Sequence, residues 1–298
     1  VRERSWVPDG PLDVGLALAA HKRGGGDPAW RQTPDGAIWR TCRTPGGIAT
    51  LRVSVAGGQV RGQAWGPGAE WMLDGLPALL GADDDVSGFE ARHEILREAV
   101  RRHAGLRIGR TGRVMEALVP AVLEQKVVGQ EAWRAWRWLL GRYGEPAPGP
   151  APEGMRVAPE PSVWREIPAW HWHRSGAETV RAKTIATAAW HAAKLEAAAT
   201  SEELDRLLRA LPGIGVWTSA EVRQRVFGDP DAISVGDFHL AKIVGYALTG
   251  EKTDDPGMLR LLEPYLGHRH RAGLFITLTG RRPPARGPRM AARDYRSF

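Results

Sequence analysis

Asp237 is the residue of this chain whose type and setting point most directly to chemistry. It follows Ser234-Val-Gly236 and precedes an apolar-periodic run, Phe238, Leu240, Ile243, Val244 and Leu248, that closes at Gly250. That pattern puts its carboxylate at or beside a helix N-cap, where the helix dipole and free amides favour the ionised form. A fixed anion can steady a developing positive charge or orient a water for attack. The plainer reading is a cap and nothing more. The second group stands just upstream, in Leu211-Pro-Gly-Ile-Gly215. Gly213 and Gly215 permit a tight turn whose amides lie bare at the start of a helix running from about Val216 to Phe227, and bare amides at a helix N-terminus hold phosphate.

The elements around these groups are legible from local pattern. Thr200 and Glu203 form a capping box. The helix they open, Ser201 to Ala210, carries Leu204, Leu207, Leu208 and Leu211 as one buried stripe, and Pro212 stops it. The turn therefore joins two helices, with the lone aspartate opening the next.

This arrangement, LPGIG followed by GDFHL with Asp237 and His239 in an Asp-x-His pattern, resembles the helix-hairpin-helix plus Gly/Pro-Asp signature of the HhH-GPD superfamily of DNA base-excision glycosylases, and within it the AlkA-type 3-methyladenine glycosylases. The likeness spans roughly Glu90 to Leu278. Hairpin glycines alone occur in other phosphate-gripping proteins; the hairpin with a correctly spaced Asp is the specific signal.

The resemblance implies a monofunctional enzyme that flips and excises alkylated purines of the 3-methyladenine and 7-methylguanine kind from double-stranded DNA. Asp237 would be catalytic, with Trp217 and Phe238 in the substrate pocket. DNA contacts are implied for Gly213, Gly215 and Thr218 at the hairpin, for Gln125 and Lys126 at the turn that enters the duplex, and for Lys242, Arg269 and Arg271. Lys126 departs from the apolar wedge of the family, and Glu221, Thr277 and Leu278 stand where the family has pocket aromatics. Main-chain carbonyls of Leu211 and Ile214 would hold a monovalent cation, sodium or potassium; no other cofactor is implied. Bifunctional members carry a nucleophilic lysine two residues after the second hairpin glycine, and here that residue is Trp217, so no Schiff base can form. Two other readings compete: the same reaction on deaminated or oxidised bases, and a non-catalytic DNA-binding protein that uses the hairpin only as a grip.

The whole chain is compatible with this. Its 298 residues suffice for two or three modest domains, and 43% hydrophobic with 25% charged residues describes a globular protein. A net charge of +7 and a pI near 10.0 point to a polyanionic partner, although arginine is also a generic surface residue in such compositions. Clusters recur at Arg101-Arg102, Arg107, Arg110 and Arg113, at Arg223 and Arg225, at Arg269 and Arg271, and at Arg281-Arg282. The single cysteine, Cys42, excludes an intramolecular disulfide and an iron–sulfur cluster. No apolar run approaches a membrane span and no signal-peptide core opens the chain, so a monomeric, cytoplasmic, nucleoid-associated protein is expected.

The predicted fold is α+β: a small antiparallel β-sheet domain over residues 1–85, an all-α helix-hairpin-helix region of two subdomains with a DNA cleft between them over 86–280, and a loosely ordered basic tail over 281–298. Alternation over Ala37–Cys42, Ile48–Val55 and Gln59–Trp65, with Gly46-Gly47 and Gly57-Gly58 between, predicts the strands. A helix over Pro11–His21 would cover one face. Residues 82–88 read as a linker and 145–161 as a tether. Helices are expected over Phe89–Ala104, Arg113–Gln125, Gln130–Tyr143, Gly176–Ala199, from Asp254-Asp255-Pro256 to Leu266, and from His268 to about Leu278. Trp133 and Trp136 read as core. Trp170-His-Trp-His173 has two histidines but no carboxylate or cysteine set, and reads as a loop, not a metal site.

Overall fold

In the computed structural model, residues 1–284 and 294 are described. Most of the expected basic tail, residues 285–293 and 295–298, lies outside them. Five strands form one antiparallel sheet, β1 (Arg2–Trp6), β2 (Trp30–Gln32), β3 (Ile38–Thr44), β4 (Gly47–Ala56) and β5 (Gln59–Trp65), in the order β1-β5-β4-β3-β2. The three alternating stretches became β3, β4 and β5. The flanking β1 and β2 were not foreseen, since β2 is only three residues long and β1 lies largely exposed at an edge.

The sheet's inner face pairs Leu51 with Ala64 and Val53 with Gly62. It packs under α1 (Val14–Ala19), α2 (Ala69–Asp74) and α3 (Leu76–Leu79), burying Leu18, Met72, Leu73 and Leu76 in one core. Asp13 caps α1 by accepting the Leu16 amide at 2.9 Å.

Two further cores divide the helical region. The first gathers α5 (Val114–Leu123), α6 (Gly129–Tyr143), α7 (Pro161–Glu166), α8 (Ala169–Ser175), α9 (Thr179–Trp190), α10 (Ala192–Glu196), α11 (Ser201–Arg209) and α12 (Val216–Val226), and Trp136 lies within it as expected. The second joins α4 (Glu94–Arg102) to α13 (Leu240–Thr249), α14 (Asp255–Leu262) and α15 (Arg269–Leu278). The chain thus leaves the sheet, starts the second helical core, builds the first, and returns to finish the second.

Several local expectations need correction. The segment 82–88 is anchored, because Asp84 is buried against Arg271 and accepts the Ile108 amide at 2.9 Å. The helix expected from Phe89 starts only at Glu94; Phe89 instead stacks on Phe275, centroids 5.8 Å apart. Gly176 does not begin a helix but ends α8 in the left-handed conformation, φ 87°. The alanine-rich helix after it breaks at His191, whose amide bonds back to Ala188. The Trp170–His173 stretch lies in helix α8, not a loop, and no group of three potential ligands stands together among the described residues. Within 145–161, Glu145–Pro146 and Arg156–Val157 pair as a small ribbon. Among the described residues, no helix is long and apolar enough to cross a membrane.

Candidate functional site

The hairpin forms as its sequence requires. Thr200 accepts the Glu203 amide at 3.1 Å, and the Glu203 carboxylate reaches back to the Ala199 amide at 2.9 Å, closing the start of α11. Gly213 sits at φ 85°, and a Cβ there would overlap Thr184 Oγ1, so glycine is demanded twice over. Gly215 differs: its φ of −101° suits any residue, and a Cβ would meet nothing within 4 Å. What it provides is open space in front of the first amides of α12. Pro212, Gly213, Gly215 and Val216 are all exposed at this tip.

Asp237 stands just before α13. One carboxylate oxygen, Oδ1, accepts the amides of His239 and Leu240, both at 2.8 Å. The other, Oδ2, is 3.4 Å from the Trp217 indole nitrogen. Capping thus uses one oxygen and leaves the second on the side of Trp217, half exposed. The cap and the chemistry are not alternatives; one side chain can serve both.

The loop before Asp237 is held by α12. Gln224 donates to the Ala232 carbonyl at 2.6 Å and to Ser234 Oγ at 2.9 Å, while Ser234 donates to Glu221. Gly236 donates to Asp255 at 3.1 Å. Trp217, Glu221 and Arg225 fall four residues apart on one helix face. Arg225 donates to Glu221 at 2.9 Å and to the Ala20 carbonyl at 3.0 Å, linking this face to the sheet domain. Burial pushes the Glu221 carboxyl up, but Arg225, Ser234 and Arg23 outweigh it and hold it below the usual carboxylate range. Nearby His270 is lowered to about 4, chiefly by burial, with Arg225 and Arg271 adding to the effect against Glu221 and Asp229.

The turn after α5 meets the hairpin directly. Gln125 Nε2 donates to the Gly213 carbonyl at 2.9 Å and to Thr218 Oγ1 at 2.8 Å. Its own carbonyl accepts from Arg181 at 2.9 Å, and Glu124 pairs with Arg23 at 3.6 Å. Lys126 is exposed at the crest with φ 54°, the one non-glycine residue with positive φ among those described. The structure therefore brings together Asp237, Trp217, the hairpin glycines, Gln125 and Lys126.

Other expected contacts are placed elsewhere. The Arg271 side chain is 1% exposed and forks onto Asp84, with Nη1 2.9 Å from Oδ2, so it is a structural ion pair and not a DNA contact. Arg269 is engaged by Asp231, its Nε 2.9 Å from Oδ1. Thr218 is buried, and its hydroxyl serves Gln125. Phe238 is 71% exposed, with Lys242 Nζ 3.9 Å from its ring centroid, and the same ammonium donates to the Phe238 carbonyl. Arg110, Arg113, Arg223 and Arg225 are likewise paired with Asp83, Glu196, Asp205 and Glu221. Much of the arginine excess thus braces the fold. The bracing residues Arg181, Gln224 and Arg23 carried no spacing signal, because their partners are backbone groups or residues far away in sequence.

No family model matches the chain. It is 28% identical over 253 residues to the probable bifunctional transcriptional activator/DNA repair enzyme AlkA of Mycobacterium tuberculosis, a match covering 79% of this chain and 48% of that protein. The chain spans about half the length of the curated relatives it matches. Among solved structures, the 3-methyladenine DNA-glycosylase from Archaeoglobus fulgidus superposes with a TM-score of 0.76 at 17% identity, covering 92% of this chain and 96% of the other. MBOgg1 in complex with a low-affinity DNA ligand gives 0.73 at 16% identity, covering 93% and 94%. The Clostridium acetobutylicum 8-oxoguanine glycosylase/lyase gives 0.68 at 13%, covering 89% and 92%. These likenesses establish a shared fold across nearly the whole chain. With that fold stands a sequence likeness to AlkA over 79% of the chain, and within it the glycine hairpin is set against Asp237.

Proposed function

We propose that this chain is a monofunctional DNA glycosylase that acts as a monomer on double-stranded DNA, everting a damaged purine and cleaving its glycosidic bond, with alkylated purines as substrates. The observation that carries the reading is the Asp237 carboxylate: Oδ1 fixed by two amides, Oδ2 turned to the Trp217 indole, beside an open hairpin tip.

A base stacked in a duplex is out of reach of any carboxylate, so the nucleotide must leave the stack. The amides at Gly215 and the start of α12 would grip the flanking phosphate while Lys126, raised on the crest braced by Gln125, enters the duplex; its stem occupies the gap and its ammonium reaches phosphate. As the bond from C1′ to the base nitrogen breaks, its electron pair leaves with the base and positive charge builds on the deoxyribose. The Asp237 anion steadies that charge, then directs water to C1′ and takes up its proton. A cationic alkylpurine is already a good leaving group, and the face of Trp217 suits a cation. With Trp217 at the position where a lysine nucleophile would be needed, strand cleavage is not expected.

A monovalent cation at the hairpin is part of the proposal. The Leu211 carbonyl accepts the Ile214 amide at 3.2 Å, which leaves it a second lone pair for an ion shared with the Ile214 carbonyl. Such an ion would stiffen the turn and add positive charge near the gripped phosphate.

A second reading rests on a specific observation. Glu221, one turn below Trp217, is held ionised and accepts from Ser234 and Arg225. A polar wall of this kind favours a base with hydrogen-bond donors on its edge, including an oxidised or deaminated one. Incubating the chain with methylated duplex DNA and with duplexes carrying single oxidised or deaminated bases decides between them. Release of 3-methyladenine or 7-methylguanine is the expected result; release of none of these bases would overturn the glycosylase reading altogether.

A further inference from the structure

A cavity of about 380 Å³ lies where the outer end of β3 meets the helices, away from Asp237. That volume falls within the range of small-molecule sites. Its origin is the break at His191: α9 ends and α10 begins with Ala189, Ala192 and Ala193 facing the space, and none of them can fill it. Trp136 and Trp164 form buried walls, whereas Trp190, 70% exposed, stands at the mouth with the Arg165 guanidinium 4.2 Å over its ring. Glu116 lines the cavity near the start of α5, nine residues before Gln125, or roughly 13 Å along a helix at ~1.5 Å per residue. The space is therefore separate from the proposed DNA cleft.

Its polar groups are uneven. The Glu196 carboxylate is saturated by Arg113 and by the amides of Val114 and Met115. Arg43 is taken by Glu145 and the Ala158 carbonyl. Glu116 gives one oxygen to Arg40, but its Oε2 is buried without a hydrogen-bond partner, and so is Nε of Arg165. A buried acceptor and a buried donor left unmatched are costly unless something supplies the complementary groups.

We propose that this cavity is a binding site for a neutral, planar heteroaromatic base of purine size. Flat indole walls with alanine between them accept a flat ring, a ring N–H or amino group would satisfy Glu116 Oε2, and a ring nitrogen or carbonyl would satisfy Arg165 Nε. A phosphate-bearing ligand fits poorly, because Arg43 and Arg113 are already neutralised by acids.

The test uses the full chain, with adenine as probe, in calorimetric titrations with and without a saturating duplex that carries a stable abasic-site analogue. Adenine is expected to bind one-to-one in both conditions. Ala193→Phe, at the exposed rim, should block entry and weaken binding at least about tenfold. Trp190→Ala, also at the exposed rim, should weaken it by about three- to tenfold. Both substitutions are at exposed positions and should leave base release at Asp237 unchanged. No detectable binding, binding abolished by the duplex, or binding indifferent to both rim variants would each overturn the proposal. None of these outcomes bears on whether Asp237 cleaves DNA.

Discussion

Gln125 Nε2 lies 2.9 Å from the carbonyl oxygen of Gly213, so the crest that would enter the duplex and the turn that would grip the backbone are tied by one side chain. A second bond from the same amide to Thr218 makes the tie rigid. Gln125→Ala removes both. Unfolding in urea should show a loss of about 1–2 kcal/mol. Base release should fall more than that loss explains, because Lys126 is no longer held in place; activity equal to wild type at full folding would count against the coupling.

Asp237 can be tested for its two roles separately. Asparagine keeps an oxygen for the His239 and Leu240 amides but has no charge, so Asp237→Asn should melt close to wild type and bind duplex DNA with unchanged affinity. Its single-turnover base release should drop by about a hundred- to a thousandfold. Asp237→Ala should lose the cap as well, at a cost of about 1 kcal/mol. If the asparagine variant bound DNA normally and still released base at the wild-type rate, the carboxylate would have no catalytic role.

The two hairpin glycines should respond in opposite ways. Gly213→Ala places a Cβ at positive φ and against Thr184, and thermal unfolding should report a loss of about 1–3 kcal/mol. Gly215→Ala meets no neighbour and should leave stability nearly unchanged, yet it narrows the approach to the first amides of α12. Weaker duplex binding without destabilisation is the expected signature, read by fluorescence anisotropy across a salt series.

Acid should destabilise the chain through histidine before carboxylates contribute. His270 is held near 4 in the folded chain against about 6.5 when unfolded, so the unfolded state binds the proton first. Stability is intact above pH 6.5, declines as pH falls towards 4, and loses no more to this group below that. Half-buried His21, shifted the same way by desolvation and by Arg40, acts in parallel. His270→Asn should flatten the melting-temperature profile over that window; an unchanged slope would remove His270 from the account. Glu221 acts at lower pH: its folded value is below the ordinary 4.5, so its contribution is present above that and is lost as pH falls further.

The local pattern carried the centre of the molecule and missed its braces. Thr200 and Glu203, Pro212, Gly213 and the cap at Asp254 were legible because each acts on its own neighbours in sequence; Asp254 accepts the Gly257 amide at 2.9 Å as its position predicts. Asp237 was legible for the same reason. Arg271 was misjudged because charge alone does not reveal a partner, and Asp84 lies 187 residues away. Phe238 was assigned to the pocket through the resemblance alone; nothing in its local pattern signalled the Lys242 ammonium that lies over its ring. The break at His191 left no trace in an alanine-rich run, since alanine suits helix on either side of it.

The Asp84–Arg271 pair also governs how the molecule can be divided. It fastens the exit from the sheet domain to the last described helix, while α4, which follows that exit, packs in the same core as α13 to α15. Scission at residue 85 would therefore not liberate two autonomous modules: the amino-terminal piece would carry a lone buried carboxylate, and its complement an unanswered guanidinium. A chain shortened before Arg271 would lose its foundation at both extremities at once.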